Sequence, residues 1–282
     1  MILDDVARPM RFTGYLDESD THGRSPDIVM SAILSTEGKW ARCGRGLKRA
    51  QDRYGFTIFH ATDFKNERGE FAGWSGNKMY DLLMEFGMLG FHHFTETFTV
   101  SLSHDVYRTG FLDRKPNKMH RTSQYGICFM GVLDAMMRDV MARGRQHDLS
   151  VVVEKGHPNG PDTGRLFAER KKLLEEAGVR LLDSHKLATK LEDPLLQFAD
   201  VTAHGHAMER REIKSGATPH FSEREEPQHA GPDPGWTVLE VTAEYLERVI
   251  EEYTTGKIAA HAGHLRRKQE RQDAKVASGA EE

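Results

Sequence analysis

Only two cysteines, Cys43 and Cys128, occur in 282 residues. They are too few and too far apart for a disulfide framework or a zinc ribbon. Cys128 falls in an apolar helical stretch and reads as a small core residue. No run of about 18 apolar residues exists, which argues against a membrane-spanning helix. Met1–Asp5 lacks the basic flank and apolar stretch of a secretory signal, so a reducing, cytoplasmic setting is the expectation. No G-x-S-x-G and no G-x-x-x-x-G-K-[ST] segment is present, so serine-based hydrolysis and a phosphate-cradling glycine loop both lack their motifs. The fifteen histidines are scattered, with no His/Cys set at zinc spacing. A strong charge of one sign is missing too. The net charge of −4 gives no global attraction to a phosphate backbone.

What remains is a soluble, globular composition, 38% hydrophobic and 29% charged, in a chain long enough to bury a substantial core. The charge is uneven. Arg42, Arg45, Lys48, Arg49 and Arg53 form a basic run opposed only by Asp52, and Arg170-Lys171-Lys172 form a smaller one. Either is a solvated helix face or a phosphate-binding surface.

The pattern of apolar residues predicts strands over 11–17 and 28–34, joined by turn-forming residues at 20–26. A helix over 36–54, a short strand over 56–60 and a helix over 78–89 follow, then a strand over 93–102. A long apolar helix spans 121–143. The valine-rich 149–153 reads as a buried strand, and 163–177 as an amphipathic helix closed by Gly178. A strand over 179–183 and a helix over 194–209 complete the series. Residues 211–236 read as a loop, 238–252 as a last helix, and the polar tail from 261 as disordered.

In this order the elements have the connectivity of an α/β, ribonuclease H-like mixed sheet flanked by helices. A helical insertion falls at about 36–90, within a domain spanning 1–210. A C-terminal extension over 211–260 packs on the same domain.

Four of these segments end in or carry carboxylates: Tyr15–Ser19, Val151–Glu154, Val179–Ser184 and Leu195–Asp200. Converging carboxylates suit hard divalent cations, which take oxygen ligands. Asp17 and Glu18 are adjacent, so in a strand they point to opposite faces. Asp17 is read as the primary ligand and Glu18 as its support. Glu154 leaves a buried strand into a Gly/Pro/Asn loop that also holds His157. On the last helix of this set, Gln197, Asp200 and His204 lie along one side. An Asp in so apolar a helix needs a partner, either a cation or His204 one turn later.

The segments Tyr-Leu-Asp-Glu-Ser at 15–19, Phe-His-Ala at 59–61, Glu-Lys-Gly-His at 154–157, and Asp-Ser at 183–184 with Gln-Phe-Ala-Asp at 197–200 together resemble domain-of-unknown-function family 3800. Two departures are Asp20, where relatives commonly carry Gly, and His185, which separates Asp183-Ser184 from Lys186. The resemblance implies a ribonuclease H-like fold and a nuclease-like site. Asp17, Glu154, Asp183 and Asp200 would hold Mg2+ or Mn2+. Supporting or substrate-contacting positions would fall to Glu18, His60, His157, Lys186, Gln197 and His204. Two such ions, about 4 Å apart, clamp a scissile phosphate in enzymes of this chemistry. The expected partner is nucleic acid, DNA or RNA. A small phosphorylated substrate and a catalytically silent binding module are the competing readings.

Overall fold

The computed structural model describes residues 10–19, 27–120, 122–143, 147–215 and 235–255. The expected turn at 20–26 with Asp20, most of the 211–236 loop and the tail from 261 lie outside the described residues.

Strands β1 (Arg11–Ser19) and β2 (Asp27–Thr36) are followed by the inserted helices α1 (Glu37–Tyr54), α2 (Ala61–Lys65) and α3 (Gly76–His93). Next come β3 (Glu96–Ser103), a short α4 (His104–Tyr107) and the long α5 (Gln124–Ala142). The chain then alternates through β4 (Asp148–Glu154), α6 (Gly160–Glu176), β5 (Leu182–Ala188) and α7 (Leu196–Lys214). It closes with β6 (Gly235–Glu240) and α8 (Ala243–Thr255).

The six strands form one sheet in the order β5-β4-β1-β2-β3-β6. β1 pairs antiparallel with β2 and β2 with β3, whereas β1/β4, β4/β5 and β3/β6 are parallel. A three-strand antiparallel meander extended on the β1 side by two parallel crossover strands is the ribonuclease H-like arrangement. The expected fold class is the one observed.

Strand periodicity sorts side chains between two cores, one on each face. Phe12 and Leu16 of β1, Met30, Ala32 and Leu34 of β2, and Val151 and Val153 of β4 join α5 on one face. Tyr15, Ile33 and Val152 point the other way, into a core shared by α1, α3 and α7. α5 lies close against β1 at Gly14, where an added Cβ would stand within 2.4 Å of the Met136 sulfur. Among the described residues, no helix is long and apolar enough to cross a membrane.

Three expectations are corrected. Residues 56–60 are not a strand, because their backbone donors are taken by side chains instead of a strand partner. Thr57 and Ile58 N–H donate to the Glu70 carboxylate at 2.5 and 2.9 Å, and Phe59 N–H donates to Gln197 Oε1 at 2.5 Å. The 238–252 stretch is not one helix. Its start belongs to β6, which pairs with β3 from Glu96↔Gly235 to Ser101↔Glu240, and α8 begins only at Ala243. The strand expected over 179–183 is displaced to 182–188. There a bulge sets the Leu182-to-His185 span of β5 opposite only Leu149-to-Val151 of β4. Asp183 and Ser184 fall within this bulge, and His185 pairs with Val151.

Candidate functional site

β1 and β4 are parallel neighbours whose last paired rung is Leu16↔Val153. Asp17 and Glu154 are one step further along. Asp17 shares the facing of Tyr15, and Glu154 that of Val152, so both point to the α7 side of the sheet. α7 packs across β1 and β2 and brings Asp200 to the same end. The three carboxylates predicted to act together therefore do converge.

At their centre stands a residue the sequence reading passed over. Lys190, in the loop between β5 and α7, is only 6% exposed. Its Nζ lies 2.5 Å from Glu154 Oε2, 3.2 Å from Asp17 Oδ2 and 3.4 Å from Asp200 Oδ2. No two of these oxygens are then more than about 7 Å apart, twice the longest of the three contacts. The bond to Glu154 has full hydrogen-bond geometry. The contact to Asp17 Oδ2 is an ion pair by distance, and that buried oxygen accepts no hydrogen bond. Asp17 Oδ1 accepts from the Glu18 N–H at 2.7 Å, and Asp200 Oδ2 from the Ala61 N–H at 2.9 Å.

Crowding acidic groups beside one ammonium perturbs Asp17, Glu18, Glu154 and the lysine itself. Burial, reinforced by the facing Glu154 carboxyl and only partly opposed by Lys190, holds Asp17 well above the usual carboxylate range. Burial also resists ionisation of Glu154, but its bonds to Asp17 and Lys190 outweigh that and set it below its ordinary value. Glu18 is pushed up to about 7, first by burial and then by Glu154. Burial disfavours charge on Lys190, yet Asp17, Asp200 and Glu154 overcome it and keep the ammonium protonated above its ordinary range. The site thus holds a firmly charged lysine, an ionised Glu154 and a proton-retaining Asp17.

Glu18 faces the other side of the sheet, as strand geometry requires. The Tyr125 phenol of α5 donates to Glu18 Oε2 at 3.4 Å. His157 stacks on that ring, with centroids 4.0 Å apart and planes 7° from parallel. A cavity of about 470 Å3 lies beside this pair, lined in part by Tyr107, Ser123, Gln124 and Asn159. On the carboxylate side, exposed His60 precedes α2, close enough to Glu154 to favour its ionised form. Fully buried Gln197 ties this segment to α7 through Phe59. Phe56, Phe59, Phe64, Phe71 and Phe86 pack ring on ring beneath it and fix its path.

Asp183 and Lys186 are not brought to the carboxylates. Asp183 lies near the beginning of β5 and is exposed, accepting from Ser150 Oγ at 3.0 Å. Glu154 pairs instead with Ala188, five residues on, or roughly 16 Å along the strand. Lys186 is half-exposed and lies 3.6 Å from Asp193, beside the buried Tyr15 phenol. Its expected place is filled by Lys190. His204 sits half-buried on α7, one turn beyond Asp200, while Asp200 takes Ala61 N–H and Lys190 as partners. Of the basic run on α1, Lys48 pairs with Asp52 and Arg53 with Glu85. Arg42, Arg45 and Arg49 are exposed along one side and make no ion pair among the described residues.

Among the described residues, no three His, Cys, Asp or Glu side chains stand ready around a metal position. The donor chemistry nevertheless fits a hard divalent cation: three carboxylates, one with an unsatisfied buried oxygen, all within reach of one point. The point itself is held by the lysine ammonium.

No family model and no curated protein matches the chain. Among solved structures it is similar to ribonuclease H2 from Pyrococcus horikoshii OT3, at 11% identity and a TM-score of 0.32, over 91% of this chain and 99% of that one. The fold assignment therefore rests on strand order and pairing, and the site on its own geometry.

Proposed function

We propose that the protein is a metal-dependent phosphodiester hydrolase acting on nucleic acid, with Asp17, Glu154 and Asp200 as the residues that hold Mg2+ or Mn2+. The observation that carries this reading is the convergence of three carboxylates from β1, β4 and α7 on one cation position at the end of adjoining parallel strands. In open α/β sheets this is where ligands bind. Divalent ions in such a cage supply a nucleophile at neutral pH and offset the charge that develops on a phosphate. Glu18, with Tyr125 and His157, would bound the substrate on the α5 side, and His60 on the α2 side. Arg42, Arg45 and Arg49 offer unpaired positive charge to a phosphate backbone. On the same residues we also read the chain as a member of domain-of-unknown-function family 3800, in a cytoplasmic setting.

The test is cleavage of labelled single- and double-stranded DNA and RNA in Mg2+, Mn2+ or EDTA. Cleavage should require the metal, and Asp17→Asn and Asp200→Asn should each lower it by at least about 100-fold, more than loss of an outer hydrogen-bonding partner costs. A second reading, a catalytically silent nucleic-acid- or protein-binding module, is favoured by one observation: Lys190 already neutralises part of the cage. That reading predicts no cleavage with any metal, together with unaltered binding in both variants.

A further inference from the structure

Lys190 occupies the place a divalent ion would take. A metal bound at Asp17, Glu154 and Asp200 would share the oxygens that now lie 2.5–3.4 Å from Nζ. Divalent ions sit about 2.0–2.6 Å from such oxygens. Two cations cannot stand there together in a buried pocket.

One ammonium is also a poor match for the cage. It carries a single charge among three carboxyl groups. It hydrogen-bonds Glu154 alone; Asp17 Oδ2, 3.2 Å away, accepts no hydrogen bond from it. Contacts without hydrogen-bond geometry hold the ammonium less firmly than a full set would.

The loop around Lys190 is held without using its side chain. Thr189 N–H donates to Glu192 Oε2 at 2.8 Å, Glu192 N–H donates to Thr189 Oγ1 at 3.2 Å, and Asp193 N–H donates to the Thr189 carbonyl at 2.9 Å. The neighbouring Leu191 is 68% exposed, so solvent lies directly beside the turn. A four-carbon stem with rotatable donors can swing from such a turn while the backbone stays in place.

We propose that Lys190 is the exchangeable resident cation of the carboxylate cage: its ammonium balances Asp17, Glu154 and Asp200 when no divalent metal is bound, and leaves when one enters. The proposal rests on the metal-binding reading above and adds that metal and lysine compete for one position. The lysine lets the acidic cluster fold without metal and lowers the affinity for it. An ammonium in place nine-tenths of the time weakens apparent metal affinity about tenfold.

Two measurements on the full chain test this without reference to activity. Brief acetic anhydride labelling of the wild-type protein, read by mass spectrometry, compares Lys190 in EDTA with Lys190 in saturating Mn2+. Lys190 should be protected in EDTA and labelled about tenfold faster in Mn2+, while exposed Lys48 does not change. Calorimetric Mn2+ titration then compares wild type with Lys190→Met, which should bind about tenfold tighter. Mn2+ binding by wild type with no change in Lys190 labelling overturns the exchange and leaves the metal site standing. Binding by the variant alone also overturns it, making Lys190 a permanent occupant. Absence of binding by both proteins overturns the metal site and the exchange together. If Lys190→Met does not fold, the wild-type labelling still decides.

Discussion

Glu18 should make the metal-free protein less stable as the solution becomes more alkaline, and Glu18→Gln should remove that dependence. Its carboxyl is pushed from the ordinary 4.5 up to about 7 by burial and by Glu154. A carboxyl raised in the folded state contributes fully below its ordinary value, and that contribution is lost as pH rises through the folded value. The gap corresponds to about 3 kcal/mol between pH 4 and pH 8. Gln keeps an acceptor for the Tyr125 phenol and cannot ionise, so the variant isolates the charge. Asp17 acts in the same direction and Glu154 in the opposite one, so the quantity to follow is the wild-type-minus-variant difference. Urea unfolding in EDTA at pH steps from 4 to 8 measures it. With a slope of about 3 kcal/mol per molar urea, the two midpoints should separate by about 1 M over that range. A change in the difference below about 1 kcal/mol would show that Glu18 is not held in the desolvated, acid-flanked position described, and would refute the reasoning.

Gln197→Leu leaves the buried Phe59 N–H without an acceptor and should cost about 1–3 kcal/mol in urea unfolding, with a larger loss of order at 56–60 by hydrogen exchange. Gly14→Val forces Met136 away from β1 and should destabilise by about 1–3 kcal/mol, whereas Gly38→Ala, at an open helical position, should be neutral or slightly stabilising. Asp183→Asn should leave cleavage and Mn2+ binding unchanged, because it lies at the far end of β5; a loss comparable with Asp17→Asn would contradict the strand register. Reversing Arg42, Arg45 and Arg49 to Glu should weaken nucleic-acid binding and flatten its salt dependence, with no change in thermal stability.

The sheet was legible because its central strands are nearly continuous apolar runs, Ile28–Leu34 and Leu149–Val153, and their partners alternate. Strand parity alone separated Asp17 from Glu18, and the structure places them on opposite faces as expected. Glu154 and Asp200 followed from their positions at a strand end and within an apolar helix. Lys190 could not be read this way. A lysine in a loop of Thr, Glu and Asp has the composition of a solvated turn, and only the packing of α7 against β1 turns it inward. Asp183 misled because a bulge shifts β5 along the chain, and the pairing that reveals a bulge is not local. β6 was hidden for the same reason: Trp236–Glu240 continues into a helical stretch, and its partner β3 stands far away in sequence.

The pairing of β3 with β6 also sets an order of events during synthesis. One edge of Glu96–Ser103 is covered by a strand that begins only at Gly235. At about 5–20 residues per second, a ribosome takes on the order of ten seconds to pass from one to the other. Throughout that interval the emerging sheet presents an open row of backbone donors and acceptors, the template on which chains pair with one another. The nascent protein is therefore most vulnerable late, after its principal core has been made. A ribosome stalled short of residue 235 would hold it at that point.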